Sequence, residues 1–359
     1  MNAHSPTPSP ARLMMLEWHL TKRCNLRCGF CYIDYAPEDE LSDRECSDLM
    51  DAFIRMKVPG IIFSGGEPLL RKPLLLDLVA RGKAHNMRCV LATNGVLLDM
   101  PTLSQLKEAG VFIIGMSIDA AAPELHNALR GSDEAYDGVI RAIRLCVEAG
   151  VPVQVQTVAS RRNWQEVPAI VGLCRQLGVS KYLVLDFVPT GRGASFDEAL
   201  SPSQREQLLD FVYHAGKVME GRLALEYVEP YWQRKLCQME PETGRPLRQR
   251  FFQGGTCMGG NAFLAVMPQG DVYPCPRLGL AAGNVRMQPF SEIWETSPLL
   301  RSMRSTEGLK GECRTCEYRD TLCDGCRARA YQATGDYLAP DPACIKLTGR
   351  GGAVPCGSC

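Results

Sequence analysis

Cys24, Cys28 and Cys31 stand at C-x3-C-x2-C spacing directly after a short apolar run, Leu16 to Leu20. Thiolates so spaced bind zinc or an iron–sulfur cluster. A structural zinc site wants four protein ligands and usually closes with paired Cys or His close by. No such ligand follows here, since the next cysteine, Cys46, lies fifteen residues on in a helix-like segment. Three cysteines on a cubane of four irons leave one iron without a protein ligand. An open iron is a place for a small molecule to bind, so the shortfall points to chemistry rather than to a structural site.

A second group of cysteines occupies the C-terminal part: Cys257, Cys275, Cys313, Cys316, Cys323, Cys326, Cys344, Cys356 and Cys359. Its spacing is C-x12-G-x4-C, a gap, C-x2-C-x6-C-x2-C, a gap, then single cysteines. Paired CxxC units hold iron–sulfur clusters or zinc. In a chain of 359 residues with 17 cysteines, the grouping of twelve of them argues for metal binding in a reducing compartment rather than for disulfides. Cys46, Cys89, Cys146 and Cys174 sit in apolar patterns and read as buried, inert thiols. Cys237 stands in a less regular segment and stays open.

The elements that position these residues alternate. Strand-like runs at Leu16–Leu20, Gly60–Ser64, Arg88–Thr93, Val111–Ile118, Val153–Ala159 and Lys181–Val188 are separated by helical periodicity, as in Asp43–Met56 and Ala135–Ala149. Ser42 with Glu45 predicts a capping box. Pro101 and Gly110 bracket a helix over Thr102–Ala109. Such alternation predicts an α/β fold with a parallel sheet and right-handed crossovers. In these folds ligands bind at the carboxyl ends of the strands. The cysteine loop, Ser64–Pro68, Thr93-Asn94-Gly95, Ser117 with Asp119, Thr157 with Asn163, and Pro189–Gly193 all fall there. Residues 201–253 read as a helical connector that turns aromatic around Tyr227–Trp232. Gly270-Asp271 predicts a hairpin turn between Ala262–Met267 and Val272–Tyr273.

Lys+Arg and Asp+Glu both number 40, so the formal net charge is zero. That removes a general electrostatic reason to bind nucleic acid or an anionic membrane. Residues 1–12 have no apolar h-region and read as a disordered lead-in; no apolar run is long enough to span a bilayer. The expectation is a cytoplasmic protein with neither a nucleic-acid nor a membrane partner.

The triplet Cys24/Cys28/Cys31 with Ser64-Gly65-Gly66-Glu67-Pro68 after the next strand resembles the radical S-adenosylmethionine (SAM) superfamily, from about Leu13 to about Cys344. The resemblance implies a partial (β/α)6 TIM-type barrel over 13–200. It implies that Cys24, Cys28 and Cys31 hold a catalytic 4Fe–4S cluster whose open iron chelates SAM. Reductive cleavage of SAM would then give a 5′-deoxyadenosyl radical. It places Glu67 near the SAM ammonium and Gly65-Gly66 in close backbone approach, with Pro68 stiffening the turn. Phe30 and Tyr32 would cover the adenine. Asn94, Ser117, Asp119 and Arg130 would complete the cofactor site, with Asp119 and Arg130 as surface or structural ion-pair residues the alternative.

The C-terminal cysteines, over 254–348, resemble the SPASM extension, which carries up to two auxiliary 4Fe–4S clusters. By resemblance Cys313, Cys316, Cys323 and Cys344 hold an outer cluster, and Cys257, Cys275 and Cys326 an inner one. The family pattern is C-x2-C-x5-C-x3-C, so the third cysteine here is displaced by one residue. Met258 to Leu264 contains no cysteine, and the inner set lacks a fourth thiol. Cys356 and Cys359, in the tail 349–359, are candidate donors, because glycine-rich 349–352 would let the tail fold back. A tail carrying free thiols is the alternative.

Val188-Pro189-Thr190-Gly191-Arg192-Gly193, Ala282-Gly283-Asn284-Val285-Arg286, Cys326-Arg327-Ala328-Arg329-Ala330-Tyr331 and Thr334–Ala339 resemble the radical SAM enzymes of alternative haem b and haem d1 biosynthesis. That resemblance implies oxidative decarboxylation of iron-tetrapyrrole propionates, with Arg192, Arg327 and Arg329 meeting substrate carboxylates; solvated arginines or donors to the clusters are the alternative for these three. It also implies a low-potential electron donor such as flavodoxin or ferredoxin. Maturation of a ribosomally made peptide and decarboxylation of a small metabolite are the other enzymatic readings. The 23 residues before Cys24 are too few for a fused peptide-recognition domain. An iron–sulfur electron carrier is the non-enzymatic reading, and the Gly-Gly-Glu-Pro site argues against it.

Overall fold

The structure is a computed structural model and describes residues 12–33, 39–240, 257–320 and 322–348. Its centre is a ten-stranded sheet in the order β10-β9-β8-β1-β2-β3-β4-β5-β6-β7. The first seven strands are β1 (Met15–His19), β2 (Gly60–Ser64), β3 (Arg88–Thr93), β4 (Ile113–Ser117), β5 (Val153–Ala159), β6 (Lys181–Asp186) and β7 (Ala224–Tyr227). Each pairs in parallel with the next, as helical crossovers require. The last three are β8 (Phe263–Val266), β9 (Asp271–Tyr273) and β10 (Gly283–Asn284).

Alternate strand residues face the helices. Leu16, Trp18, Ile61, Phe63, Cys89 and Leu91 are buried in one core with Phe53, Leu75, Leu78 and Leu106. Trp18 meets Phe53 edge-on at 5.2 Å between ring centroids. The helices start where local chemistry allows. Ser42 accepts from the Glu45 amide while the Glu45 carboxylate takes the Ser42 amide at 2.8 Å, heading the helix Asp43–Arg55. The helix Met100–Ala109 has Pro101 in its first turn and Gly110 as its cap. Cys46, Cys89, Cys146 and Cys174 are buried in these packed faces.

Two edges differ from expectation. The segment read as a helical connector carries a strand, β7, between the helices Pro202–Val218 and Tyr231–Met239. Four residues are too short to show a period, and what makes them a strand is the free edge of β6. The C-terminal hairpin of β8 and β9 forms about Gly270 as predicted, but β8 also pairs in parallel with β1, Leu16 opposite Leu264 and Trp18 opposite Val266. The barrel and the cysteine-rich region therefore share one sheet.

Candidate active site

The cysteine loop follows β1 and is clasped from the ends of four other strands. Below it, Leu20 N donates to Ser64 O at 2.9 Å, Gly66 N to Thr21 O at 2.7 Å and Glu67 N to Arg23 O at 2.8 Å. A Cβ on Gly66 would lie 2.2 Å from Arg23 O, so the glycine is demanded by the approach of its own chain. Asn94 Nδ2 donates to Asn25 Oδ1 at 2.8 Å and lies 3.8 Å from Cys24 Sγ. Arg27 N and Gly29 N donate to the carbonyls of Arg130 and Leu129. From β6, Gly193 N donates to Cys31 O at 3.1 Å, and a Cβ on Gly191 (φ +58°) would meet Tyr32 O at 2.2 Å.

So held, Cys24, Cys28 and Cys31 share a pocket with Leu26, Phe30, Val96 and Ala135. Burial pushes the Cys28 thiol up, the Arg130 guanidinium pulls it back, and Cys31 and Cys24 add to the rise. Arg130 Nη1 lies 3.9 Å from Cys28 Sγ, its guanidinium covers the Phe30 ring at 5.2 Å, and Nη2 is ion-paired to Asp119. A permanent cation beside the triplet favours thiolates and an anionic cluster.

Glu67 is fully buried. Its carboxylate accepts from Thr93 Oγ1 at 2.8 Å, Asn94 N at 2.9 Å and Leu69 N at 3.0 Å. Burial pushes it up to about 7 even against those hydrogen bonds. Pro68 opens a 3₁₀ turn directly after it. Ser117 accepts a long bond from Gln156 Nε2, 3.5 Å.

Three expected contacts are placed otherwise. Asp119, expected as a direct cofactor contact, is fully buried with one carboxylate oxygen taken by Val158 N at 2.9 Å and the other facing Arg130. Asp119 positions Arg130. Arg327 and Arg329, expected to meet substrate carboxylates, are buried within the C-terminal region and held by internal acceptors. Arg327 Nη1 donates to the carbonyls of Tyr337 and Ala339; Arg329 pairs with Asp186, Glu229 and Asp341. Arg192, in the turn Gly191–Ser195 against the cysteine loop, is the member of that trio that the fold brings to the site.

Other groups come to the site without having been singled out. Glu17 and His19 lie on β1, with His19 Nε2 3.2 Å from Glu17 Oε1. Tyr32 OH donates to Glu17 Oε1 at 3.0 Å, so the ring expected over an adenine has its hydroxyl anchored on β1. Burial works to raise Glu17, but His19, Tyr32 and Ser64 outweigh it and its carboxyl lies below the ordinary value. The signal was present: polar residues at i and i+2 of an apolar strand face away from the core. His126 is a second case. Its Nδ1 accepts from Asp119 N at 3.1 Å, and burial with Arg130 lowers it to about 4, so it is neutral.

The auxiliary cysteines fall into two sets. Cys257, Cys275 and Cys326 pack with Val188, Leu278 and Met303. Cys316 and Cys323 pack with Cys237, Tyr318 and Leu322. The mutual influence of the thiols adds Cys313 to Cys316 and Cys344 to Cys313. The resemblance expects an inner and an outer ligand set among these same cysteines. Among the described residues no three His, Cys, Asp or Glu side chains close around a single ion. Cys356 and Cys359 lie outside the described residues.

The model of the radical SAM superfamily matches residues 18–198. The chain belongs to this superfamily. The model of the SPASM iron–sulfur cluster-binding domain matches residues 257–317. This radical SAM enzyme is 38% identical over 344 residues to the AdoMet-dependent heme synthase of Methanosarcina barkeri, covering 94% of this chain and 97% of that protein. It is 31% identical to the pre-heme d1 synthase of Dinoroseobacter shibae, over 97% and 89% of the two chains. It is 32% identical to the PqqA peptide cyclase of Granulibacter bethesdensis, over 92% and 87%. Its fold matches that of Streptococcus suis SuiB bound to S-adenosylmethionine with a TM-score of 0.76 at 16% identity, covering 93% and 78% of the chains. The radical SAM domain binds SAM and a 4Fe–4S cluster, and the SPASM domain binds auxiliary iron–sulfur clusters. No helix among the described residues is long and apolar enough to cross a membrane.

Proposed function

We propose that this enzyme oxidatively decarboxylates propionate side chains of an iron-tetrapyrrole to vinyl groups. The observation that carries the reading is the likeness to a heme synthase along 94% of this chain and 97% of the relative. When bound at the cysteine loop, the cluster with SAM supplies a carbon radical able to remove a hydrogen atom. The chain's part is placement. Cys24, Cys28 and Cys31 hold the cluster, and Arg130, fixed by Asp119, balances its charge. Glu67 and the Asn94 side of β3 face the SAM ammonium, and Phe30 covers the adenine. Arg192 pairs with a propionate carboxylate. A propionate that has lost a β-hydrogen atom carries a carbon radical; release of carbon dioxide leaves a vinyl group and one electron. The cysteine sets of the SPASM domain would hold the acceptors for that electron. A low-potential donor such as flavodoxin or ferredoxin and a reducing cytoplasm complete the reading.

The test is anaerobic turnover of reconstituted enzyme with SAM, a low-potential reductant and didecarboxysirohaem, a haem d1 precursor or iron-coproporphyrin III, read by mass spectrometry. Loss of carboxyl mass with matching 5′-deoxyadenosine is the expected result. SAM cleavage that leaves every tetrapyrrole unchanged overturns it. Peptide maturation is then the second reading, favoured by the 32% identity to a peptide cyclase.

A pH dependence follows from Glu67. Its folded-state pKa of about 7 lies above the ordinary 4.5, so the carboxyl is protonated over that window in the free enzyme. A bound ammonium prefers the carboxylate. SAM affinity should therefore rise as pH increases from 5 to about 7, level off above, and release a proton on binding within that window. Calorimetry in buffers of different ionisation heat reads the proton, and Glu67→Gln should remove both effects. A flat affinity from pH 5 to 8 would sink the assignment.

A further inference from the structure

Arg327 is 4% exposed and opens the short helix Arg327–Thr334 directly after Cys326. Nη1 is doubly engaged, donating to Tyr337 O at 2.9 Å and Ala339 O at 3.0 Å, and Nε makes a long bond to Gly325 O at 3.4 Å. These bonds fix the plane of the guanidinium. Nη2 is buried and has no hydrogen-bond acceptor among the described residues. A buried cationic donor left unmet costs free energy, so its place calls for an acceptor.

Its charged surroundings say which. They are Asp324, Cys257, Cys313 and Asp341. Asp341 is taken by Arg329 and the Cys326 amide, and Asp324 Oδ1 by the Cys257 amide at 2.8 Å. The other two neighbours are sulfurs, one from each set: Cys257 from the inner and Cys313 from the outer. Burial raises the Cys313 thiol, and the Arg327 side chain, by its charge and by contact, works against that rise. Anchoring the Tyr337–Ala339 segment accounts for Nη1 alone; it gives no reason for a permanent charge between two thiolate sets.

We propose that Arg327 tunes the auxiliary clusters: Nη2 donates to a cluster sulfur at Cys313, and the charge between Cys313 and Cys257 makes both clusters easier to reduce. A cluster gains one negative charge on accepting an electron, and hydrogen bonds and cations at its sulfurs favour that state. Arg327 is thus a positioning and tuning residue that touches no substrate, and its role holds whatever the substrate proves to be.

The test uses the full chain with Cys24, Cys28 and Cys31 changed to alanine, so that only auxiliary clusters load. Redox titration followed by electron paramagnetic resonance reads their potentials. Arg327→Gln keeps a donor for Tyr337 O and loses the charge. It should lower the reduction equilibrium constant at least tenfold, about 59 mV for one electron. Arg327→Lys should restore most of the shift. Unchanged potentials at unchanged iron per chain overturn the proposal. If Arg327→Gln does not retain its clusters, the unsubstituted residue is tested directly. Chain labelled with ¹⁵N-arginine should show a weak ¹⁵N hyperfine coupling on a reduced auxiliary cluster, lost in Arg327→Lys. Its absence from the Arg327 chain, or its persistence in Arg327→Lys, overturns the proposal.

Discussion

Changing Cys28 to alanine is expected to abolish SAM cleavage while leaving the SPASM domain loaded. Cys28 is the most buried of the three loop thiols and the one that Arg130 faces. With two thiolates the cubane is no longer held, and Arg130 keeps Asp119 but loses its sulfur partner. 5′-Deoxyadenosine formation should fall below about 10⁻⁴ of the parent rate, as when one member of an interdependent catalytic set is removed. Iron per chain should fall by about four atoms, one cubane. Cys146→Ala is the contrast. Burial pushes that thiol up to about 12 behind the sheet, and its loss should change neither iron content nor cleavage. Retained cleavage in Cys28→Ala would mean that the catalytic cluster is not on this loop.

The second large effect is on stability. Arg329 is 4% exposed and binds three acids on separate parts of the chain. Nε meets Asp341 at 2.8 Å, Nη1 meets Asp186 at 3.0 Å at the end of β6, and Nη2 meets Glu229 at 3.2 Å ahead of the helix Tyr231–Met239. Arg205 also holds Asp186, and Arg277 holds Glu229, so three cations balance three anions. Arg329→Met leaves the acids in excess inside the protein. The expected loss is about 3–5 kcal/mol of unfolding free energy, read by anaerobic denaturant titration. Lysine should rescue little, because an ammonium cannot fork to three carboxylates.

The acid limb moves with it. Arg329 and its hydrogen bonds, working against burial, hold Asp341 down at about 2 from an ordinary 3.8. A depressed folded pKa contributes stability that is complete above the unfolded value and is lost as pH falls towards 2. In Arg329→Met the folded pKa of Asp341 rises, so this contribution should vanish and acid unfolding should begin at higher pH. A variant as stable as the parent, with the same acid limb, would show the network to be energetically idle.

The local parts of this molecule could be read before folding. The capping box at Ser42, the limits of β2, β3 and β5, and the turn at Gly270 depend on neighbours in sequence. The cysteine loop and Gly65-Gly66 were legible for the same reason. What escaped depends on remote partners. β7 exists because β6 has an open edge, and β8 lies beside β1 although some 245 residues separate them in the chain. Arg327 and Arg329 illustrate the limit for side chains. An arginine beside a ligand cysteine looks like a substrate clamp until its acceptors, Tyr337, Ala339, Asp186 and Glu229, are brought to it by the fold. Asp119 likewise could not be told from a cofactor contact until Arg130 stood against it.

The pairing of β8 with β1 bears on what can be taken apart. Without residues from 257 onward, β1 would be a bare edge strand presenting a row of open amides and carbonyls. The strand itself, Met15–His19, contains no proline to discourage pairing with another chain. A truncated catalytic half would therefore be prone to stack edge to edge with its copies rather than persist as a smaller enzyme. The cysteine-rich region thus covers an edge of the barrel, and separating the two is expected to cost the barrel its protection against self-association.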